Sequence, residues 1–302
     1  MRRIIGLTVV AASVLAAFGG QAFGCGSLVA ANGAVDLEHT TTLAAYHDGV
    51  EHYVTAFSFE GDQKSFGSIV PLPGRPTKVE KAGDWTLQRL LREVQPPLPE
   101  GVFAASAVKD DVEVIQQTRI DSLDVTILRG GGRAVARWAN ANGFDLPADT
   151  GTVLEFYSER SPYFMAARFD ASAAVKQGLE GGDSTPVQLT IPLDHPWVPL
   201  RILSTAMPDD YPVKADIFLL TDDQTQLMHG AGFSVERSER ASSSLLDDLR
   251  SDQRMSWVPH DMWLTYARVD ARAKDVRWDL AIGVDGNEPQ LIDTGFPLVF
   301  GG

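Results

Sequence analysis

The chain has 302 residues, 44 % of them hydrophobic and 22 % charged, which is ordinary for a globular protein with room for a large core. Its net charge of −14 excludes the basic footprint that phosphate-backbone binding needs, so nucleic acid is not an expected partner. With a single cysteine, Cys25, an internal disulfide is excluded as well, and stability has to come from the core.

The N-terminus reads as an export signal in three parts. Arg2 and Arg3 supply positive charge, residues 4–18 are apolar apart from Gly6, Thr8 and Ser13, and small residues lead up to Gly24. A signal peptidase that selects small side chains would use Ala22 and Gly24 and cut before Cys25. The apolar run is shorter than the ~20 residues a spanning helix requires. Cys25 is then either the site of lipid attachment, preceded by the small Gly24, or an unmodified first residue of the mature chain. Removal of Arg2 and Arg3 with the signal leaves 24 basic against 40 acidic residues, a net charge near −16.

Four segments are expected. They are a signal peptide over 1–24, an N-terminal β segment over 25–80, a mainly helical middle over 81–182, and a C-terminal β-rich segment over 183–302, with 25–302 compatible with one composite domain. Asp48-Gly49 is a two-residue hairpin signal, because both central positions of a type I′ turn need positive φ. It joins a strand ending at Tyr46-His47 to one running from Val50 through Phe59, and a further strand fits Phe66 to Leu72. Asp84 is placed to cap a helix over Trp85, Leu87, Leu90, Leu91 and Val94, which ends at the proline run 95–99.

Strands are expected over Val112–Gln117 and Leu123–Leu128, and helices over Ala134–Ala141 and Thr150–Glu159. Gly130-Gly131-Gly132 is a hinge without the lysine of a phosphate-binding loop. Further strands fit Phe164–Phe169, Val187–Ile191, Leu200–Leu203, Val213–Thr221, Gln226–Glu236 and Val276–Val284, and a helix capped by Ser242 fits as far as Arg250. The fold class expected is α+β, with β-rich antiparallel, sandwich-like sheets and a helical middle segment.

The ordered segments Cys25-Gly26, Phe66-Gly-Ser-Ile-Val-Pro-Leu-Pro73, Trp138 through Asn142-Gly143-Phe144, Ser161-Pro162-Tyr163-Phe164 and His195-Pro-Trp-Val-Pro-Leu-Arg-Ile202 resemble the bacterial exported family known as domain of unknown function 2330. The resemblance covers most of the mature chain. It implies export and a shared fold, and because the family has no established catalytic residues it implies no site.

Candidate chemistry is sparse. Pairing about Asp48-Gly49 sets His47 opposite Val50 and Ala45 opposite His52, so His47 and His52 share a face and, with His39, form a candidate zinc or copper set. The G-x-S-x-G elbow of a serine hydrolase is missing, since neither Gly67-Ser68-Ile69 nor Gly232-Phe233-Ser234 satisfies it, so a hydrolase would have to assemble its site without a local motif. Trp197, between Pro196 and Pro199 and beside His195, is either a recognition surface with Tyr211 or Trp263 or an aromatic plug at the end of a sandwich. No cofactor is expected. The expectation is an exported envelope protein with a binding or structural role, its partner an envelope protein, a glycan or, through Cys25, a membrane.

Overall fold

A computed structural model describes residues 28–30, 36–60, 66–94, 113–121, 123–144, 146, 150–170, 184–205, 207–228 and 232–295. The segment expected to be an export signal, Cys25 and the proline run 95–99 lie outside the described residues.

The fold is α+β with sandwich-like sheets. The chain runs β1 (Leu28–Ala30), β2 (Asp36–His47), β3 (Val50–Glu60), β4 (Phe66–Leu72), β5 (Lys78–Lys81), α1 (Thr86–Val94), β6 (Glu113–Ile120), β7 (Leu123–Arg129), α2 (Gly132–Ala141), α3 (Thr150–Ser158) and β8 (Tyr163–Phe169). It continues with β9 (Val187–Pro192), β10 (Trp197–Val198), β11 (Pro212–Thr221), β12 (Leu227–Met228), β13 (Phe233–Arg240), α4 (Ser243–Ser251), β14 (Trp263–Arg272) and β15 (Leu280–Ile282). The middle of the chain holds the three helices α1 to α3 together with strands β6, β7 and β8.

The frame is a seven-stranded sheet in the order β13-β14-β11-β2-β3-β9-β5. A five-stranded sheet, β1-β4-β8-β7-β6, faces it, and a small third sheet orders as β10-β15-β12. Pairing is antiparallel except between β2 and β11, which run parallel. The reason is topological. β2 has its hairpin mate β3 on one side, and its other side is filled by a strand that arrives after a long crossover, which is the connection a parallel pair requires.

Residues 48 and 49 turn as the sequence indicates, Asp48 at φ 50° and Gly49 at φ 72°, and the register sets His47 opposite Val50 and Ala45 opposite His52. Alternation along β2 and β3 then gives two buried faces. Ala44, Tyr46, Tyr53 and Phe57 join the core between the sheets. Leu43, Ala45 and Val54 join a second core with Leu87 and Leu90 of α1 and Leu245, Leu246 and Leu249 of α4.

The helices α2 and α3 belong to the outer side of the five-stranded sheet. Phe144, just beyond α2, lies against Gly67 so closely that a Cβ there would sit 2.1 Å from its ring. Gly67 is opposite Arg168, whereas Met165, Ala167 and Phe169 on the other face meet Thr55 and Phe57 of the seven-stranded sheet around a small cavity. The layers are therefore helix, sheet, sheet, helix.

Several local expectations need correction. Leu200–Leu203 is not a strand but the start of a 3-10 turn over Arg201–Ser204. The strand expected over Gln226–Glu236 is split into β12 and the beginning of β13, and that over Val276–Val284 shrinks to β15. The ten-residue β14 and the short β5 occupy stretches where no strand was expected. Ser242 does cap α4, accepting from the Leu245 N–H at 3.2 Å. Asp84 does not cap α1: its own N–H and that of Trp85 both donate to Asp252, at 3.0 Å each, and the Thr86 hydroxyl donates to the same carboxylate at 2.7 Å.

Candidate functional site

The hairpin places two of the three candidate metal-ligating histidines together and separates the third. His47 and His52 share the helix-covered face of the seven-stranded sheet, but His39 is eight positions from His47 on the same strand, roughly 26 Å away. Each ring is otherwise engaged. His47 Nδ1 lies 2.7 Å from Asp222 and its Nε2 3.3 Å from Asp48. His52 stacks on Trp257 with ring centroids 3.6 Å apart, and burial, with lesser contributions from His47 and Lys78, pushes its pKa down to about 4. His39 Nε2 lies 2.7 Å from Asp216, which also accepts from the Tyr266 hydroxyl at 2.5 Å. Among the described residues no group of three or more His, Cys, Asp or Glu side chains could hold a metal ion. The metal set does not assemble.

The aromatic surface also comes apart. Trp197 is 3 % exposed and stacks on Tyr157, with centroids 5.9 Å apart. Trp263 lies opposite Thr221, whereas Tyr211 precedes Pro212 at the other end of the same strand pair, roughly 30 Å away. His195 is exposed at the rim, its Nε2 3.4 Å from Gln290. Of the two alternatives for Trp197, the aromatic plug is the one its burial matches.

What Trp197 seals is a buried polar cluster that sequence reasoning missed. Asp279, fully buried, accepts at one carboxylate oxygen from the Tyr157 hydroxyl at 2.8 Å and from the Leu200 and Arg201 N–H groups at 2.7 and 3.0 Å. Its other oxygen takes a charge-assisted hydrogen bond from Arg160. The Tyr157 hydroxyl in turn accepts from the Ile202 N–H at 2.9 Å. Arg160 completes the cluster by donating to the Asp293 carbonyl at 2.5 Å and lying 4.4 Å from the Trp197 ring centroid. Burial, followed by the Asp279 charge, raises the Tyr157 pKa well above that of a free tyrosine.

This explains the 3-10 turn at Arg201–Ser204, because its first N–H groups point at a carboxylate. It also explains why Arg160 and the segment from His195 to Ile202, far apart in sequence, meet in space. A charged pair such as Arg160 and Asp279 has no local spacing signature. The only hint was an aspartate, Asp279, beside the apolar strand Leu280–Ile282.

A second buried acid behaves differently. Glu51, on β3, is 0 % exposed, and neither carboxylate oxygen has a hydrogen-bond partner among the described residues. Burial alone pushes its pKa up to about 8. Its cross-strand neighbour Tyr46 donates to Asp285 at 3.1 Å, and burial followed by that carboxylate raises the Tyr46 pKa to about 12.

Two cavities of about 10 Å³ each lie between the sheets and share Thr55 and Phe57 in their walls. The larger-walled one is lined by Thr40, Thr42, Tyr53 and the Val198–Leu203 segment. Each has space for about one water molecule.

Among solved structures, the chain is similar to baculovirus P35, with 9 % identity and a TM-score of 0.41 over 85 % of this chain and 98 % of that one. It is also similar to a chain of the caspase-8/P35 complex, with 9 % identity and a TM-score of 0.36 over 81 % of this chain and 90 % of that one. Likeness at this level carries no functional argument. No curated protein matches the sequence. A family model matches residues 19–229, and the chain belongs to that family, described as an uncharacterized protein conserved in bacteria, DUF2330.

Proposed function

We propose that this is an exported bacterial cell-envelope protein whose mature chain starts at Cys25 and whose role is binding or structural, not catalytic. The observation that carries the reading is the three-part signal ending in Ala22-Phe23-Gly24 directly before the only cysteine. The absence of any second cysteine supports an attachment role for Cys25, because no pairing within the chain competes for the thiol. The non-catalytic part is supported by the way the buried Asp279 cluster is used. The Asp279 carboxylate is saturated by two backbone N–H groups, a tyrosine and an arginine, and it ties the 3-10 turn to α3.

The test is mass spectrometry of the N-terminal peptide after expression with the native signal in a bacterial host, together with fractionation. A chain beginning at Cys25 in the envelope fraction is expected. A diacylglycerol-sized mass increment, with release from membranes in Cys25→Ala, identifies a lipid anchor, and an unmodified Cys25 identifies a released or periplasmic protein. A chain retaining Met1 in the cytoplasm overturns the proposal.

A further inference from the structure

The seven-stranded sheet ends at β13, which pairs with β14 on one side and has no strand on the other among the described residues. An end strand presents a row of backbone donors and acceptors to whatever strand can reach it. Most of β13 is exposed, including Val235 at 45 %.

Its last five residues read Glu236-Arg237-Ser238-Glu239-Arg240. Read backwards, the order of charges is inverted. A second copy laid antiparallel with its two-fold axis at Ser238 therefore sets Glu236 opposite the other copy's Arg240 and Arg237 opposite the other copy's Glu239. Arg237 already lies 2.5 Å from Glu239 of its own strand. On that face the two copies would form a square of four charges in which every nearest neighbour has the opposite sign.

The register is specified as well. A slip of one residue in one direction puts Glu236 against the other copy's Glu239, and in the other direction puts Arg237 against Arg240, both like-charge contacts. Charges and a bulge on an edge strand ordinarily serve to block pairing. Here the bulge falls between Val235 and Arg237, at the margin of the five-residue palindrome, and the charges attract their own copies.

We propose that β13 is a homodimer edge, at which two copies pair antiparallel through residues 236–240 about Ser238 to form one continuous sheet. This gives three measurements on the mature chain carrying Cys25→Ala. Sedimentation velocity over a concentration series should show a monomer–dimer equilibrium. Glu239→Arg, which opposes two arginines at both symmetry-related positions, should weaken the dimer by about ten-fold or more, and Arg237→Glu combined with Glu239→Arg should restore it. Oxidation of Ser238→Cys should give a disulfide-linked dimer, because the two positions face each other. Glu236→Cys should not, since its two copies are four residues apart in register, about 13 Å.

A chain that stays monomeric at every concentration overturns the proposal. So does a dimer indifferent to the charge reversals, which would place the interface elsewhere. Should the double reversal fail to fold, as circular dichroism would reveal, the contrast between Ser238→Cys and Glu236→Cys still decides.

Discussion

Asp279 and Glu51 are both acids with no exposure to solvent, yet they make opposite contributions to the fold. Asp279 stands where two stretches of backbone need an acceptor, and its charge is met by Tyr157, Arg160 and the N–H groups of Leu200 and Arg201. Glu51 stands near the start of β3, paired with β2 on one side and β9 on the other, where neighbouring backbone groups already bond one another, and both its oxygens lack partners among the described residues. Burial by itself does not determine whether a carboxyl group is stabilising. The supply of donors at its position does.

The contrast is broken most severely by Asp279→Ala. That change leaves Arg160, itself only 8 % exposed, without its counter-charge and leaves two N–H groups and a hydroxyl without their acceptor. A loss of about 5 kcal/mol or more is expected, read as a lower urea midpoint at unchanged slope. If Asp279→Ala moves the midpoint by less than about 1 kcal/mol, the cluster is not what holds the 195–203 segment to α3.

Glu51→Gln tests the other half, and its signature is in the pH dependence. The pKa of Glu51 is about 8 in the folded chain against 4.5 for the free side chain, so folding favours the protonated form. The stability it permits is complete below pH 4.5 and drains away as the pH rises towards 8. Between pH 5 and pH 8 the loss amounts to about 3–4 kcal/mol. Glu51→Gln should flatten that slope and be more stable than the native chain at pH 8. An unchanged slope across the interval would mean that Glu51 finds a partner or a water the described geometry lacks.

Much of the frame was legible because it rests on local signals. Asp48-Gly49 fixed the turn and thereby the register of the β2–β3 hairpin, and Phe66–Leu72 and Val187–Ile191 announced strands by apolar runs. β14 could have been found. Ala267, Val269 and Ala271 alternate with Arg268, Asp270 and Arg272, a period of two whose charges masked the strand.

The 3-10 turn over Arg201–Ser204 was not legible, since its apolar residues suit a strand and the reason for the turn, Asp279, lies 78 positions away. The candidate site failed in the same manner. His39 is on the right strand and at the wrong end of it, and Trp197 has the composition of a binding residue but is covered by Tyr157 and Arg160. Local spacing cannot express which distant groups converge.

The smallest of the expected effects returns to donor supply, now on the opposite face of the seven-stranded sheet. The start of α1 has several N–H groups without an intrahelical partner, and the adjacent Asp84 carboxylate is drawn away, lying 3.0 Å from Lys81. Asp252, at the end of α4, supplies the acceptor at this end of the helix, taking the Asp84 and Trp85 N–H groups just ahead of α1 and the Thr86 hydroxyl while 5 % exposed itself. Gly83 makes this approach feasible, because a Cβ there would fall 2.2 Å from the Asp252 carboxylate. Asp252→Ala should therefore cost about 2 kcal/mol, the scale of a lost cap with its donors left buried, and less than Asp279→Ala because no buried cation is orphaned. Gly83→Ala should lower stability by a comparable amount and, combined with Asp252→Ala, should cost less than the two effects added together, since both act on one contact. Strict additivity in that double-mutant cycle would show that the carboxylate and the glycine do not share the contact the geometry assigns them.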